Sequence, residues 1–265
     1  MIGIGNMLWR IGEILDFDEQ LAWTRDAGFD GVGFHAAPGT PGQWRGVEPA
    51  ECDGPRRASL RLELGAFSFA EIHAPFRIHL TADSLASETE ALGPVLDLAE
   101  DLGVSVLTVH AQIGDGPGEG EAWLAPMAAL DRQASEARTT IGLEINDGFD
   151  AVRSWGLPHV GVTLDVGHMY TPAQEQALAR HGGIGGLIRH LGPVLVHLHL
   201  HDTDGEIDHF EVGTGIVDFA EIAAALRAIG YRRGATLEMN PDRCSPEGIM
   251  RGADRLRQLL GEAEC

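Results

Sequence analysis

The 265-residue sequence contains no lysine: all nineteen of its basic side chains are arginine. That absence removes two mechanisms at once, a lysine Schiff base with a carbonyl compound and the P-loop lysine that grips nucleotide phosphates. Cysteine is scarce as well. Cys52, Cys244 and Cys265 are odd in number and far apart, which argues against a disulfide framework or a CxxC zinc clasp and makes a reducing cytoplasm the expected location. No run approaches the roughly eighteen apolar residues of a membrane-spanning helix. The N-terminal MIGIGNMLWRIGEILD has neither the basic region nor the cleavage site of a signal peptide, so a soluble protein without membrane contact is expected. Positive charge is also short, with forty acidic residues against nineteen basic and a net charge of -21. Such a chain repels polyanions, and without a local basic groove no nucleic-acid partner is expected.

What is present is a globular composition, 44% hydrophobic, in a length that suits one large α/β barrel or two small domains. Short apolar, β-branched runs recur: IGIGNM from Ile2, GVGFH from Gly31, AEIHAP from Ala70, VSVLTVH from Val104, TIGLEIN from Thr140, VGVTLDVG from Val160, VLVHLHLH from Val194 and ATLEMN from Ala235. Helical patterns separate them. FDEQLAWTRDAG reads as a helix capped by Asp16 or Asp18 and stopped by Gly28, and DSLASETEALGPVLDLAEDLG and DFAEIAAALRAIG read similarly. Strand-helix alternation repeated eight times predicts a single (β/α)8 TIM barrel over 1–265, with no domain boundary. Two Gly- and Pro-rich stretches, 36–55 and 112–121, follow strands and are expected as loops on the catalytic face, there to serve as a lid or substrate wall or merely as variable surface.

The ends of the predicted strands carry side chains that bind metals or protons. His35 ends the second, His73 the third, His110 the fourth, Glu144 the fifth, Asp165 the sixth, His199 and His201 the seventh, and Glu238 the eighth. Residues two apart on a strand share a face, so His197, His199 and His201 point into the barrel while Leu198 and Leu200 face the helices. The same rule places Glu71 beneath His73, Thr163 beneath Asp165 and Thr236 beneath Glu238, as ligand-orienting partners or as ordinary core hydrogen bonds. Glu144, Asp165, His199 and Glu238 together make a set of three carboxylates and one imidazole. Such a hard, oxygen-rich set suits Mn²⁺ or Mg²⁺ first, and Zn²⁺, Co²⁺ or Fe²⁺ as well.

IHAPF at 72–76, LEIN at 143–146, TLDVGH at 163–168, HLHLHD at 197–202, DHFEVGTG at 208–215 and LEMN at 237–240, in this order and spacing, resemble the xylose isomerase-like TIM barrels. These comprise sugar phosphate isomerases and epimerases, ketose 3-epimerases and, more distantly, endonuclease IV, and the resemblance spans nearly the whole chain. It implies a metal held by Glu144, Asp165, His199 and Glu238, with His168 beside the substrate and His209 as a further substrate or metal contact. The endonuclease branch uses additional ligands, and His73, His110, His168 and His209 match several of them. The carboxylate expected two residues before His209 is Ile207, and the adjacent Asp208 is expected to face another way, which weakens a trinuclear cluster.

A sugar isomerase or epimerase must take a proton from a carbon next to a carbonyl, which needs a positioned base and stabilisation of the enediolate. On this reading Glu144 and Glu238 are both ligands and an acid/base pair working from opposite faces, and His168 polarises the substrate. Trp9 and Trp44 are placed to stack on a sugar, as is Trp123, although core packing is the commoner role for any one of them; His73, His110, His201 and His209 are further substrate or metal contacts. Arg10 and Arg45 are the nearest phosphate-binding candidates, without a dense cluster. The expected partner is therefore a small carbohydrate or polyol, with or without phosphate, and a homo-oligomer is left open. Two rivals remain: a lyase or hydrolase on the same scaffold, whether a dehydratase of a keto-sugar, inosose or dehydroshikimate-like acid or a zinc-dependent phosphodiesterase, and a non-catalytic barrel that binds metal or sugar.

Overall fold

The computed structural model describes residues 2–114 and 118–261. Cys265 and the middle of the 112–121 stretch lie outside the described residues. The elements run β1 (Ile4–Met7), α1 (Phe17–Asp26), β2 (Gly31–His35), α2 (Gly54–Leu64), β3 (Phe69–His73), β4 (His79–Leu80), α3 (Leu85–Ala91), α4 (Gly93–Leu102), β5 (Val106–Ala111) and α5 (Glu119–Ala137). They continue with β6 (Thr140–Glu144), α6 (Phe149–Trp155), β7 (Val160–Asp165), α7 (Glu175–His181), α8 (Ile184–Leu191), β8 (Leu195–Leu200), α9 (Phe219–Ala228), β9 (Ala235–Leu237) and α10 (Pro246–Gly261). Eight strands pair in parallel in the order β1-β2-β3-β5-β6-β7-β8-β9, and β9 closes on β1 with Ile4 opposite Ala235. This is the expected TIM barrel, with all eight expected strands in place. The short β4 was not expected; it pairs with the upper end of β5, His79 opposite His110, and raises the barrel wall there.

Each strand is apolar on its outer face because helices cover it, and Ile72, Leu107, Val109, Leu143, Leu164 and Leu198 are fully buried. Asp16 caps α1 by accepting from the backbone N–H groups of Asp18 and Glu19, as its position before the apolar periodicity requires. The stretch read as one helix from 83 to 103 is in fact two, α3 and α4, joined at Leu92. Gly93-Pro94 explains the break: proline has no N–H to continue the α3 ladder but fits the first turn of α4. At the N-terminal end of the barrel the Phe69 ring fills the axis. Gly31 makes room for it, since a Cβ there would lie 2.1 Å from the ring. Above Phe69 the interior turns polar, and that change positions the site.

Candidate active site

Glu71 lies at the centre of the barrel, fully buried on β3. One of its oxygens accepts from His199 Nε2–H at 2.6 Å and from the Thr108 hydroxyl at 2.7 Å, and the other from His197 Nε2–H at 2.9 Å. Burial alone would raise its pKa, but the two imidazoles outweigh that and hold it well below the usual carboxylate range. Glu71 therefore fixes the ring of His199 and decides which nitrogen carries the proton.

With Nε2–H committed to Glu71, His199 turns Nδ1 upward, 2.8 Å from Glu238 Oε2 and 3.4 Å from Glu144 Oε2. Nδ1 is buried and makes no hydrogen bond of acceptable geometry. A neutral imidazole here points a lone pair at two carboxylate oxygens, which is attractive only if a proton or a cation lies among them. Without a cation the proton stays: burial would lower the His199 pKa, but Glu238 and Glu71 raise it well above the ordinary value. The His199 charge in turn draws the Glu238 pKa down to about 2 against the effect of burial. Asp165 completes the group, and donor atoms of Glu144, Asp165 and His199 lie within 4.8 Å of one another. This donor set, with its orphaned nitrogen, fits a divalent metal.

Two further groups of donors adjoin the first. His73 donates Nδ1–H to the carbonyl of Ala74 at 2.7 Å, which leaves Nε2 facing Glu144 Oε2 at 3.3 Å, and His110 Nε2 stands 3.5 Å from the same oxygen. On the other side His168 places Nδ1 at 3.6 Å from Glu144 Oε1 and Nε2 at 3.4 Å from Asp208 Oδ2. Burial would lower the His168 pKa, but Asp165, Asp208 and the two glutamates raise it to about 10. Asp208 does not turn away as expected. It reaches both His168 and His209, the latter at 2.8 Å. Strand alternation does not govern this loop, where His209 takes a left-handed backbone with φ of 58° and so redirects the side chains beside it. Ile207 is solvent-exposed.

His201, expected as a substrate or metal contact, is fully buried. Its Nδ1 accepts the backbone N–H of His209 at 2.9 Å, so Nε2–H donates to Asp165, 2.8 Å from Oδ1, and the His209 ring stacks over it at 4.0 Å. It orients Asp165. Gly167 permits this packing, because a Cβ there would lie 2.1 Å from the His201 ring. Asp202 is buried and accepts from the backbone N–H groups of Thr203, Gly213 and Val217, tying the loop after β8 together.

An aromatic wall stands over β2 and β3. Trp9 donates its indole N–H to His35 Nε2 at 3.2 Å, Trp44 packs on His35 at 5.1 Å between ring centroids, and Phe76 lies 4.9 Å from His35 and 5.3 Å from His73. Trp44 reaches there because the 36–55 loop folds back on its own strand, Val47 N–H to the His35 carbonyl. Phe76 is half exposed and was visible in the sequence only as the end of IHAPF. His35 is fully buried in this wall, and burial, reinforced by His73, lowers its pKa to about 3, so it is neutral. Trp123 is a core residue of α5. Arg10 is paired with Asp242, and Arg45 is exposed.

The sequence model of the family described as "Xylose isomerase-like TIM barrel" matches residues 21–259. The chain belongs to the xylose isomerase-like TIM-barrel family. Within this family it is 26% identical to an L-ribulose 3-epimerase of Mesorhizobium japonicum over 260 residues, covering 89% of this chain and 80% of the relative. It is 31% identical to a D-psicose 3-epimerase of Enterocloster bolteae over 121 residues, 41% of this chain and 36% of that one. A solved D-psicose 3-epimerase from Clostridium cellulolyticum H10, crystallised with D-tagatose, superposes with a TM-score of 0.74 at 19% identity over the full length of both chains. These xylose isomerase-like relatives place the barrel, and the residues above define what this chain sets at its mouth.

Proposed function

We propose that this protein is a divalent-metal-dependent ketose epimerase that inverts the carbon next to the carbonyl. The observation that carries the proposal is the pair of buried carboxylates, Glu144 on β6 and Glu238 just beyond β9, that approach His199 Nδ1 from different sides of the barrel. The L-ribulose and D-psicose 3-epimerases among its relatives favour ketoses as the substrate class. Glu144, Asp165, His199 and Glu238 would hold the cation, Mn²⁺ or Mg²⁺ by donor type, whose charge stabilises the negative charge that develops on the carbonyl oxygen.

The chain's own groups do the rest. One glutamate removes the proton from the carbon beside the carbonyl, the C–H electron pair becomes the enediolate double bond, and the carbonyl electrons move to oxygen. The other glutamate returns a proton to the opposite face and regenerates the carbonyl with the centre inverted. His168, with Nε2 held 3.4 Å from Asp208 Oδ2, donates a hydrogen bond to a substrate oxygen as charge builds there. Trp9, Trp44 and Phe76, packed around the buried His35, offer an apolar face on which the sugar ring or chain lies. The test is to replace Glu144 or Glu238 by Gln and follow solvent deuterium entering L-ribulose or D-psicose. Loss of exchange in both variants is expected, and undiminished exchange would remove the acid/base pair.

A second reading has its own observation. His73 and His110 meet one oxygen of Glu144, while Asp208 links His168 and His209, so the cluster offers two more groups of ligands around the first. Two or three zinc ions per chain would favour a hydrolytic centre, in which Glu144, His73, His110, His168, Asp208 and His209 would serve as ligands and Glu144 would not be free to move a proton. One ion per chain favours the epimerase.

A further inference from the structure

A cavity of about 570 Å³ lies on the C-terminal face beside the donor cluster, over the ends of β4, β5 and β6. It adjoins the site directly. His79 in its wall pairs in register with His110, with 6.0 Å between ring centroids, and Asn146 stands two residues beyond Glu144 on the same strand exit. Its volume is within the range, about 300–1,000 Å³, of cavities that hold small-molecule ligands.

The chemistry of the wall is specific. Three carboxamides, Gln112, Asn146 and Gln174, line it together with His79, and none of these side chains hydrogen-bonds to another described residue. A carboxamide offers a donor and an acceptor side by side, which matches the paired hydroxyls of a sugar. The lining contains no arginine but does contain the carboxylates Asp83 and Asp147, so its own residues offer a phosphate no arginine partner. The nearby Arg180 is engaged with Asp147 at 2.8 Å.

We propose that this cavity is a second sugar subsite, and that the reacting ketose carries an uncharged glycosyl group which the subsite binds. The substrate class is then a neutral glycosyl-ketose, a disaccharide with a free keto end, and not a sugar phosphate. This rests on the epimerase reading, because it takes the reacting carbonyl to lie at the Glu144 and Glu238 end.

The experiment compares D-fructose, fructose 6-phosphate, maltulose and isomaltulose as substrates for deuterium entry from solvent, in the metal-loaded wild type and in the variant Gln112→Ala/Gln174→Ala. For at least one disaccharide the wild type is expected to exceed both monosaccharides in kcat/KM by about tenfold or more, since two or more neutral hydrogen bonds are gained. In the variant that advantage disappears while fructose turnover stays within about twofold, the range of a surface change that leaves the centre intact. Equal treatment of fructose and both disaccharides by the wild type, or a preference for fructose 6-phosphate, overturns the proposal. Calorimetry separates its failure from failure of the epimerase reading. If no sugar exchanges deuterium the epimerase reading falls; the subsite still stands if maltulose or isomaltulose binds the wild type and binds the variant about tenfold more weakly, and falls if neither binds.

Discussion

Replacing Glu71 by Gln keeps the shape of the buried side chain but removes its charge and turns one of its two oxygens into an NH₂ donor. In the native barrel both oxygens face donors, His199 Nε2–H at 2.6 Å and His197 Nε2–H at 2.9 Å. The amide group must therefore face one imidazole N–H, and at least one charge-assisted hydrogen bond is lost, worth about 1.5–3 kcal/mol. The same change frees His199 to carry its proton on Nδ1, the atom aimed between Glu144 and Glu238. A proton there competes with a metal. Metal affinity is expected to fall by about 10–100-fold, as for other partners that orient a ligating histidine. The assay is calorimetric titration of Mn²⁺ into chelator-stripped protein at fixed pH, with urea unfolding run in parallel. A folded Glu71→Gln variant that binds Mn²⁺ as tightly as the wild type would refute the reasoning, because Glu71 would then not set the protonation of His199.

Other expectations follow from single contacts. Gly31→Ala forces a methyl group into the Phe69 ring and should lower stability by at least about 1–3 kcal/mol, read from the urea midpoint. Chelation should lower the melting temperature, and adding back Mn²⁺ at about a hundred times its dissociation constant should restore about 2.7 kcal/mol. The His168 pKa is raised in the folded state, so in metal-free protein its contribution to stability is full below its ordinary value of 6.5 and is lost as pH rises through about 10. His168→Gln should flatten the decline in urea midpoint over that window.

The sequence reveals much of this architecture because a barrel strand obeys two simple rules at once: apolar residues face the helices, and the polar residue at its end faces the mouth. His73, Glu144, Asp165 and His199 follow those rules, and the structure brings them within contact of one another. What the rules do not reach is irregular backbone. Asp208 faces the site because His209 adopts a positive φ, and alternation cannot foresee that. His201 is buried because the returning loop lays His209 over it, a contact between segments eight residues apart that no periodicity encodes. The break between α3 and α4 was readable in Gly93-Pro94 but was outweighed by the apolar periodicity on either side. The amides lining the second cavity give no pattern in sequence, since each is an ordinary loop or helix-end residue until the fold assembles them.

The central claim is that Glu144 and Glu238 move a proton on and off the carbon beside a ketose carbonyl. It is tested most directly by incubating the Mn²⁺-loaded wild type with L-ribulose in D₂O and reading C3 by NMR. The account predicts deuterium at C3 accompanied by appearance of the C3 epimer; a C3 that keeps its proton and its configuration, in protein shown to hold one metal ion per chain, would contradict it.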